Sequence, residues 1–443
     1  MYQSPARLLV ARIPSRCSRA SAALSLALAA PLGCGDSSGP GAQPAGLIVA
    51  GGQNAAFLGD TFGLSTWYTD SGGDVLGVAP TGVRWSSSDP AVVEPISDST
   101  FVARALGTAT LVAEAVSSGN TLTTSLAFQV VEGFQGRMVW LRQSDLGEPT
   151  RLVSRDLSSR VVVSAPPFGY RTTPPGPPAL SPDGRYVAIP ATRPISDIAP
   201  LAIYLVDLTT DDVAALTDSM PGNQINPRWS TDGASVLFSS DAGGSWNIWS
   251  VPLSGGLPRV RLRLDAGAPV FFDVSPSDGR LVLALATSEG GRDLWETSVD
   301  TGITRRITNT PVQGKNWPRV GPDGGTIAFS ATADVAGLGA VFLVPRAGGP
   351  PREVLPRVMV PAFPGARPNA HVAQSSSPGW SPDGRFLLVM WFVDATYVPA
   401  SLVGPGGLDS WGYPGDIYAV STDGMVRIRL TSWKWADADA DSR

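Results

Sequence analysis

Short apolar runs, separated by turn residues, fill the chain from residue 47 onward. Between residues 47 and 131, apolar and polar residues alternate in five segments, which are 61–69, 82–86, 99–105, 108–115 and 121–131. These segments are rich in Val, Thr, Phe and Trp, as the strands of a β-sandwich are. The pattern predicts an all-β module here, with Trp85 as a core side chain between two sheets.

The chain repeats itself from residue 137 onward. A turn of the form Ser-Pro-Asp-Gly, or a close variant, begins at intervals of 49, 45, 46 and 60 residues, at Ser181, Ser230, Ser275, Gly321 and Ser381. Apolar strand segments follow each turn, and four short strands per repeat of about 40–45 residues are typical of a propeller blade. Residues 138–163 form a further unit that lacks its innermost strand. Residues 433–443 either supply that strand or leave the ring imperfectly closed.

The Asp-Gly pairs of these turns have a structural explanation. Asp accepts N–H bonds within its own turn, and Gly adopts the positive φ that such a hairpin needs. We therefore expect turn formation, and not a shared metal site, from Asp183, Gly184, Asp232, Gly233, Asp278, Gly279, Asp323, Gly324, Asp383 and Gly384.

Residues 1–33 have the pattern of a secretory leader. Four arginines and no acid precede Ala20, and the apolar run 20–32 that follows is too short to span a bilayer. The next residue is Cys34, after Pro31-Leu32-Gly33. This segment resembles a bacterial lipobox, although Pro31 stands where leucine is usual.

The lipobox resemblance implies cleavage before Cys34 and a diacylglycerol anchor on its sulfur. Residues 34–46 are rich in Ser, Gly, Pro and Ala, which predicts a flexible tether. The alternative is ordinary cleavage after Ala29, which would give a soluble periplasmic or secreted protein with a free thiol.

Two further resemblances concern the fold. Residues 83–93, with their Trp-Ser-Ser and Asp-Pro pieces, and the Gly-Thr-Ala strand start at 107–109 resemble the bacterial Ig-like domain of the Big2 group, over 47–132. The Trp-Ser-Pro-Asp-Gly turns, each with a later Ile-Tyr or Ile-Trp strand, resemble the WD40-like (PD40) repeats of TolB-type propellers, over 136–443. Together they imply an all-β chain, an Ig-like β-sandwich followed by a six-bladed TolB-like β-propeller.

Composition limits the chemistry. Gly (49) and Pro (40) disfavour a mostly helical protein, and the formal charge of −5 disfavours a nucleic-acid binder. His371 is the single histidine, and Cys17 and Cys34 are the two cysteines. With one histidine and two cysteines, a disulfide framework, a Cys/His zinc site and a Ser-His-Asp hydrolase are disfavoured. We therefore expect no cofactor, no metal and no enzymatic activity.

The C-terminal aspartates Asp437, Asp439 and Asp441 have the spacing of the first half of a calcium loop. The glycine and the glutamate that complete such a loop are absent. We expect a solvated acidic tail.

The long insertions predict a binding surface. In the expected strand order, segments 164–180, 191–200, 356–378 and 394–415 all fall on the face opposite the Asp-Gly turns, and long loops are often functional. Phe168 lies in the first of these segments. We predict a partner-binding rim formed by Tyr170, Arg171, Phe363, Arg367, His371, Tyr397, Trp411 and Tyr413.

These observations predict a non-catalytic lipoprotein of the cell envelope, anchored in the outer membrane and monomeric. Its propeller binds an envelope protein or a glycan, and its Ig-like domain is a spacer. A surface adhesin or display scaffold is an alternative that differs in where the anchor faces. A propeller lyase or hydrolase is disfavoured because one histidine cannot furnish the usual metal cluster or triad.

Overall fold

The computed structural model describes residues 43–442 apart from 50–51, 74, 77, 144–149, 157–161, 169–176, 193–199, 289, 300, 310–312, 333–338, 356–376, 392–415 and 432–435. Every regular element in these ranges is a β-strand. Across the same ranges, no helix has the length and apolar character needed to cross a membrane.

Residues 43–133, here called the N-terminal module, contain nine short strands. They are β1 (Gly46–Val49), β2 (Ala55–Phe57), β3 (Thr61–Gly63), β4 (Thr66–Thr69), β5 (Arg84–Ser87), β6 (Val93–Pro95), β7 (Thr100–Ala103), β8 (Gly107–Ser117) and β9 (Asn120–Val131). The sheets β2-β9-β8-β5 and β3-β7-β6 share one core around Phe101, Leu111 and Phe128. Trp85 packs edge-on against Phe101, with ring centroids 5.1 Å apart, and is a half-buried core side chain.

The rest of the described chain forms antiparallel four-stranded meanders, numbered here as sheets 1 to 6. Sheet 1 contains β10 (Arg137–Gln143), β11 (Thr150–Asp156) and β12 (Val162–Phe168), and sheet 2 contains β13 (Ala179–Leu180), β14 (Tyr186–Ala191), β15 (Ala202–Asp207) and β16 (Val213–Ala215). Sheet 3 contains β17 (Gln224–Trp229), β18 (Ser235–Ser240), β19 (Trp246–Pro252) and β20 (Arg259–Ala266), and sheet 4 contains β21 (Phe271–Val274), β22 (Leu281–Ala286), β23 (Arg292–Ser298) and β24 (Gly302–Arg306). Sheet 5 contains β25 (Gln313–Val320), β26 (Thr326–Thr332), β27 (Gly339–Pro345) and β28 (Arg352–Glu353), and sheet 6 contains β29 (Gly379–Trp380), β30 (Phe386–Trp391), β31 (Asp416–Ser421) and β32 (Arg427–Arg429).

The C-terminal segment completes sheet 1. Strand β33 (Ala436–Ser442) pairs antiparallel with β10, with Met138 opposite Ser442 and Gln143 opposite Ala436. It therefore takes the place of the innermost strand that residues 138–163 lack. The aspartates at 437, 439 and 441 lie on this paired strand, so residues 436–442 supply the missing strand, which is the first of the two alternatives left open above.

Apolar clusters join each sheet to the next and the last to the first. Successive clusters contain Leu141 with Val187, Ile203 with Phe238, Ile248 with Phe272, Leu294 with Phe329, Leu343 with Leu387, and Leu388 with Trp140. Both faces of each sheet are thereby covered, which explains the near-continuous apolar runs in the second and third strands. Within the described chain, these clusters close sheets 1 to 6 into a ring.

The N-terminal module packs against sheet 6. Phe57 lies edge-on to both Phe134 and Phe386, with centroid distances of 5.6 Å in each case. Asn54 binds the edge of sheet 6 through its side chain, since Nδ2 donates to the Met425 carbonyl (2.8 Å) and Oδ1 accepts from the Arg427 N–H (2.8 Å). The module is therefore docked on the sheet that meets sheet 1.

The Asp-Gly turns connect the first and second strands of sheets 2 to 6. Their glycines have φ between 66° and 71°, a region that disfavours other residues. Each aspartate accepts a backbone N–H two residues further on, and these donors are Arg185, Ala234, Arg280, Gly325 and Arg385. The hydrogen bond from Ser181 holds the pKa of Asp183 below its usual value, so the Asp183 carboxylate in the turn is charged at neutral pH.

Candidate functional site on the inner strands

The first strands of sheets 3, 4 and 5 carry a charged cluster. Arg228, Asp273 and Arg319 occupy the same repeat position, two residues before the turn, and each side chain is about 95% buried. Arg228 Nε lies 3.0 Å from Asp273 Oδ1, and Arg319 Nε lies 3.7 Å from Asp273 Oδ2. Asp273 also accepts the Val320 N–H at 2.8 Å. One carboxylate thus ties three successive sheets together near their inner edges.

A second charged group surrounds Asp293 at the start of β23. Lys315, which is fully buried, places Nζ 2.8 Å from Asp293 Oδ1, and Thr308 Oγ1 donates to the same oxygen at 2.8 Å. Arg306 completes the group through Asp293 Oδ2. Burial alone would raise the pKa of Asp293, but the hydrogen bonds from Lys315, Arg306 and Thr308 hold it below its usual value. Asp293 is therefore ionised at neutral pH and is held in place by these three side chains.

An aromatic pair lies beside this group. The rings of Phe271 and Trp317 are 4.0 Å apart with a 36° tilt, and the Arg292 guanidinium stands 5.1 Å from the centroid of Phe271. Arg292 is oriented by donating to Asn316 Oδ1 and to the Pro269 carbonyl (3.4 Å). Burial lowers the pKa of Arg292, which still leaves it charged at neutral pH. We call Phe271, Trp317 and Arg292 the aromatic platform.

Trp317 has an unfavourable backbone conformation. Its φ is +50°, a region in which a bulky L-residue is strained by about 1–3 kcal/mol. Asn226 precedes a proline in the same way and has a φ of +53°. Because strain of this kind collects at functional positions, the pose of Trp317 supports a binding role for the aromatic platform.

The platform lies on the face where the sequence predicts the rim. Phe271 begins β21, and the Asp-Gly turn follows the other end of that strand. The platform is therefore on the side opposite the Asp-Gly turns. Half-buried Phe, Trp and Arg side chains can stack on an apolar or planar ligand surface and donate hydrogen bonds to it. Within the described ranges, no three His, Cys, Asp or Glu residues are grouped to hold a metal ion.

The predicted rim residues have no described geometry. Tyr170, Arg171, Phe363, Arg367, His371, Tyr397, Trp411 and Tyr413 lie outside the described residues, as do Cys17 and Cys34. Phe168 is the last residue of β12 and pairs with Thr150, so the first five residues of the predicted loop 164–180 belong to a strand. Backbone pairing with β11 extends that strand through its prolines.

Sequence reasoning missed the platform and the charged cluster. The signal for Arg228, Asp273 and Arg319 was their shared position two residues before each turn, where sheets 2 and 6 have Ala179 and Gly379. The signal for Trp317 was its place before Pro318, matching Asn226 before Pro227. Aligning the repeats by position, and not only by turn motif, would have shown both.

Comparison with known proteins defines the class of fold. Residues 156–348 match the family model PD40, TolB beta propeller domain. The crystal structure of TolB from Acinetobacter baumannii is similar with a TM-score of 0.53 at 17% identity, over 76% of this chain and 80% of that one. The described chain thus contains a TolB-like β-propeller fold.

Two further relatives are known. An uncharacterized protein of Agrobacterium fabrum is 28% identical over 221 residues, which are 48% of this chain and 69% of that protein. The structure of a putative TolB from Agrobacterium tumefaciens has 15% identity and a TM-score of 0.46, over 69% of this chain and 92% of that one. The likeness to solved structures concerns fold alone, so the chemistry must be argued from this chain's own residues.

Proposed function

We propose that this protein is a non-catalytic binding module of the bacterial cell envelope. Sheets 1 to 6 are the six blades of its propeller, and the N-terminal module is an Ig-like sandwich of the Big2 type. A diacylglycerol on Cys34 anchors the chain in the outer membrane, and the N-terminal module acts as a docked spacer. The propeller binds an envelope protein or a glycan on the face that carries the aromatic platform.

The observation that carries this proposal is the aromatic platform. Trp317 is held against Phe271 in a strained backbone conformation, and Arg292 is oriented beside them by Asn316. Stacking surfaces with a fixed guanidinium are typical of recognition sites for proteins and sugars. The charged side chains around Asp273 and Asp293 form ion pairs with these two carboxylates and hold the inner strands in place.

The anchor is tested by the mass of the mature chain. Intact mass spectrometry of the membrane fraction from a bacterial host should give a species that begins at Cys34 and carries a diacylglycerol. A species that begins at Ala30 with an unmodified thiol would overturn the anchoring part of the proposal. A Cys34→Ser variant in the same host should move to the soluble fraction.

The binding role is tested by capture from envelope extract. Trp317→Ala should lose the captured protein or glycan, whereas Trp317→Phe should retain part of it because the ring is kept. Trp67→Ala, in the N-terminal module, is the matched control and should capture as the unchanged protein does. Equal capture by all variants would refute a role for the platform, and turnover of the captured substrate would refute the non-catalytic assignment.

A further inference from the structure

Strand β20 presents a row of exposed arginines on the outer edge of sheet 3. Its sequence alternates Arg259, Arg261 and Arg263, all exposed, with less exposed apolar residues, of which Leu262 is buried. The pairing of β20 with β19 shifts register between Val260 and Leu262 and again between Leu262 and Ala266, so the strand is bulged and not evenly extended. The three arginines nevertheless form a cationic edge, which ends at the exposed Asp265, on a chain whose formal charge is −5.

The arginines of other outermost strands differ in having partners. In β24, Arg305 binds Glu296 and Arg306 binds Asp293, and in β32, Arg429 binds Asp416. Arg427 of β32 donates to the Gly52 carbonyl at 3.0 Å. By contrast, among the described residues, no hydrogen bond or ion pair reaches the side chains of the three arginines of β20. Within the described ranges, their guanidinium groups therefore do not join one sheet to another.

The backbone of β20 also offers binding groups. It is the last strand of the order β17-β18-β19-β20, so its outward N–H and C=O groups have no strand beside them in the described chain. With eight residues, it is the longest outermost strand of sheets 1 to 6. Such an edge can accept an added strand. A partner that pairs with this backbone must be an extended peptide.

The exposed charges of β20 also have a simpler explanation, because natural proteins place charged residues on edge strands to prevent aggregation. Protection of the edge requires only a charged side chain, and lysine provides it as well as arginine does. Recognition of carboxylates uses the planar fork of arginine, which binds both oxygens of one carboxylate. The two explanations therefore differ in what an arginine-to-lysine change does.

We propose that β20 is a docking edge for an extended acidic peptide segment of a partner protein. The segment adds to sheet 3 as a fifth strand, and its Asp or Glu residues, at every second position, pair with Arg259, Arg261 and Arg263. The backbone edge supplies affinity and the three exposed arginines supply specificity for carboxylates. This surface is separate from the aromatic platform and does not depend on the function proposed for it.

The test uses a labelled heptapeptide in which Asp alternates with Val, measured by fluorescence anisotropy against the full mature chain. The unchanged protein should bind it, and a peptide with Lys in place of Asp should not bind. Changing all three arginines to lysine should weaken binding by about tenfold or more, because bidentate pairing is lost while charge is kept. Changing all three to glutamate should abolish binding.

Two controls separate the alternatives. Arg261→Glu and Arg84→Glu change the charge equally, and only Arg261→Glu, on β20, should weaken binding. A peptide that is N-methylated at alternate residues keeps its carboxylates but cannot pair as a strand, so it should also lose binding.

Three results would overturn the proposal. They are no binding of the Asp peptide, equal binding of the N-methylated peptide, and equal binding by the lysine variant. The second would indicate a polyanion site, such as an acidic glycan or lipid headgroups, and the third would leave edge protection as the role of the arginines. Loss of capture by Trp317→Ala is measured separately, so either proposal can fail alone.

Discussion

The junction between the N-terminal module and the propeller gives the sharpest test of the fold. Phe57 is about nine-tenths buried and lies edge-on to Phe386 of β30 and to Phe134. Replacing Phe57 by Ala removes a large buried side chain and should cost about 3–5 kcal/mol in the free energy of unfolding. Part of that cost, about 0.5–1.5 kcal/mol, is the edge-to-face interaction with Phe386.

A double-mutant cycle isolates this interaction. The free energy of unfolding is measured by urea denaturation, followed by tryptophan fluorescence and by far-UV circular dichroism, for Phe57→Ala, Phe386→Ala and the double variant. The double variant should lose less than the sum of the single losses, by about 0.5–1.5 kcal/mol. A double-variant loss smaller than the sum of the single losses shows that the N-terminal module and the propeller stabilise each other.

Phe101 provides the matched control for this cycle. It is fully buried in the core shared by the sheets of the N-terminal module, and it belongs to a different apolar cluster from Phe386. Phe101→Ala combined with Phe386→Ala should therefore be additive within about 0.5 kcal/mol. Additivity of the Phe57 and Phe386 changes as well would refute docking of the module on sheet 6.

Three further predictions concern the propeller. Thr308→Val removes the hydroxyl that accepts the Leu294 N–H and donates to Asp293, and it should cost about 1–3 kcal/mol in urea denaturation. Thr217→Val, whose hydroxyl accepts the Ile203 N–H and donates to the neutral amide oxygen of Gln224 at 3.3 Å, should cost less, and equal costs would contradict the role of Asp293. Because the folded pKa of Asp293 is lowered, its contribution is present above the unfolded pKa of about 4 and is lost as pH falls through the folded value. Asp293→Asn should therefore reduce the loss of stability between neutral pH and the acid range, and an unchanged pH profile would contradict this. Deletion of 436–443 should lower the melting temperature and the monomer fraction in size-exclusion chromatography, because β10 loses its partner and becomes an exposed edge. A deletion variant that melts as the full chain does would contradict closure of the ring by β33.

Local sequence determined the turns and the strands that they join. Each turn needs an acceptor side chain, which Asp supplies, and a residue with positive φ, which Gly supplies within the same four residues. Gly233 and the glycines at the same repeat position have the positive φ. The second and third strands follow from apolar runs that only a sheet covered on both faces can bury. These features depend on residues close together in the chain, so they can be read without knowing the fold.

Tertiary structure decided which distant segments meet. The sequence leaves open whether residues 433–443 supply the missing strand of the first unit, because nothing in that segment itself specifies pairing with β10, about 300 residues earlier. Asn54 and Phe57 likewise look like ordinary residues of a small β-module until sheet 6 is placed beside them.

The candidate site was partly readable in the sequence. The spacing of the repeats predicts the face on which long loops collect, and the aromatic platform lies on that face. The pairing of Asp273 with Arg228 and Arg319 required three repeats to be placed around one ring. Sequence by itself determined the repeating unit, because turn chemistry and strand periodicity are local. Closure of the ring and the contacts across its sheets were decided only by the tertiary structure, because they join residues that no local pattern relates.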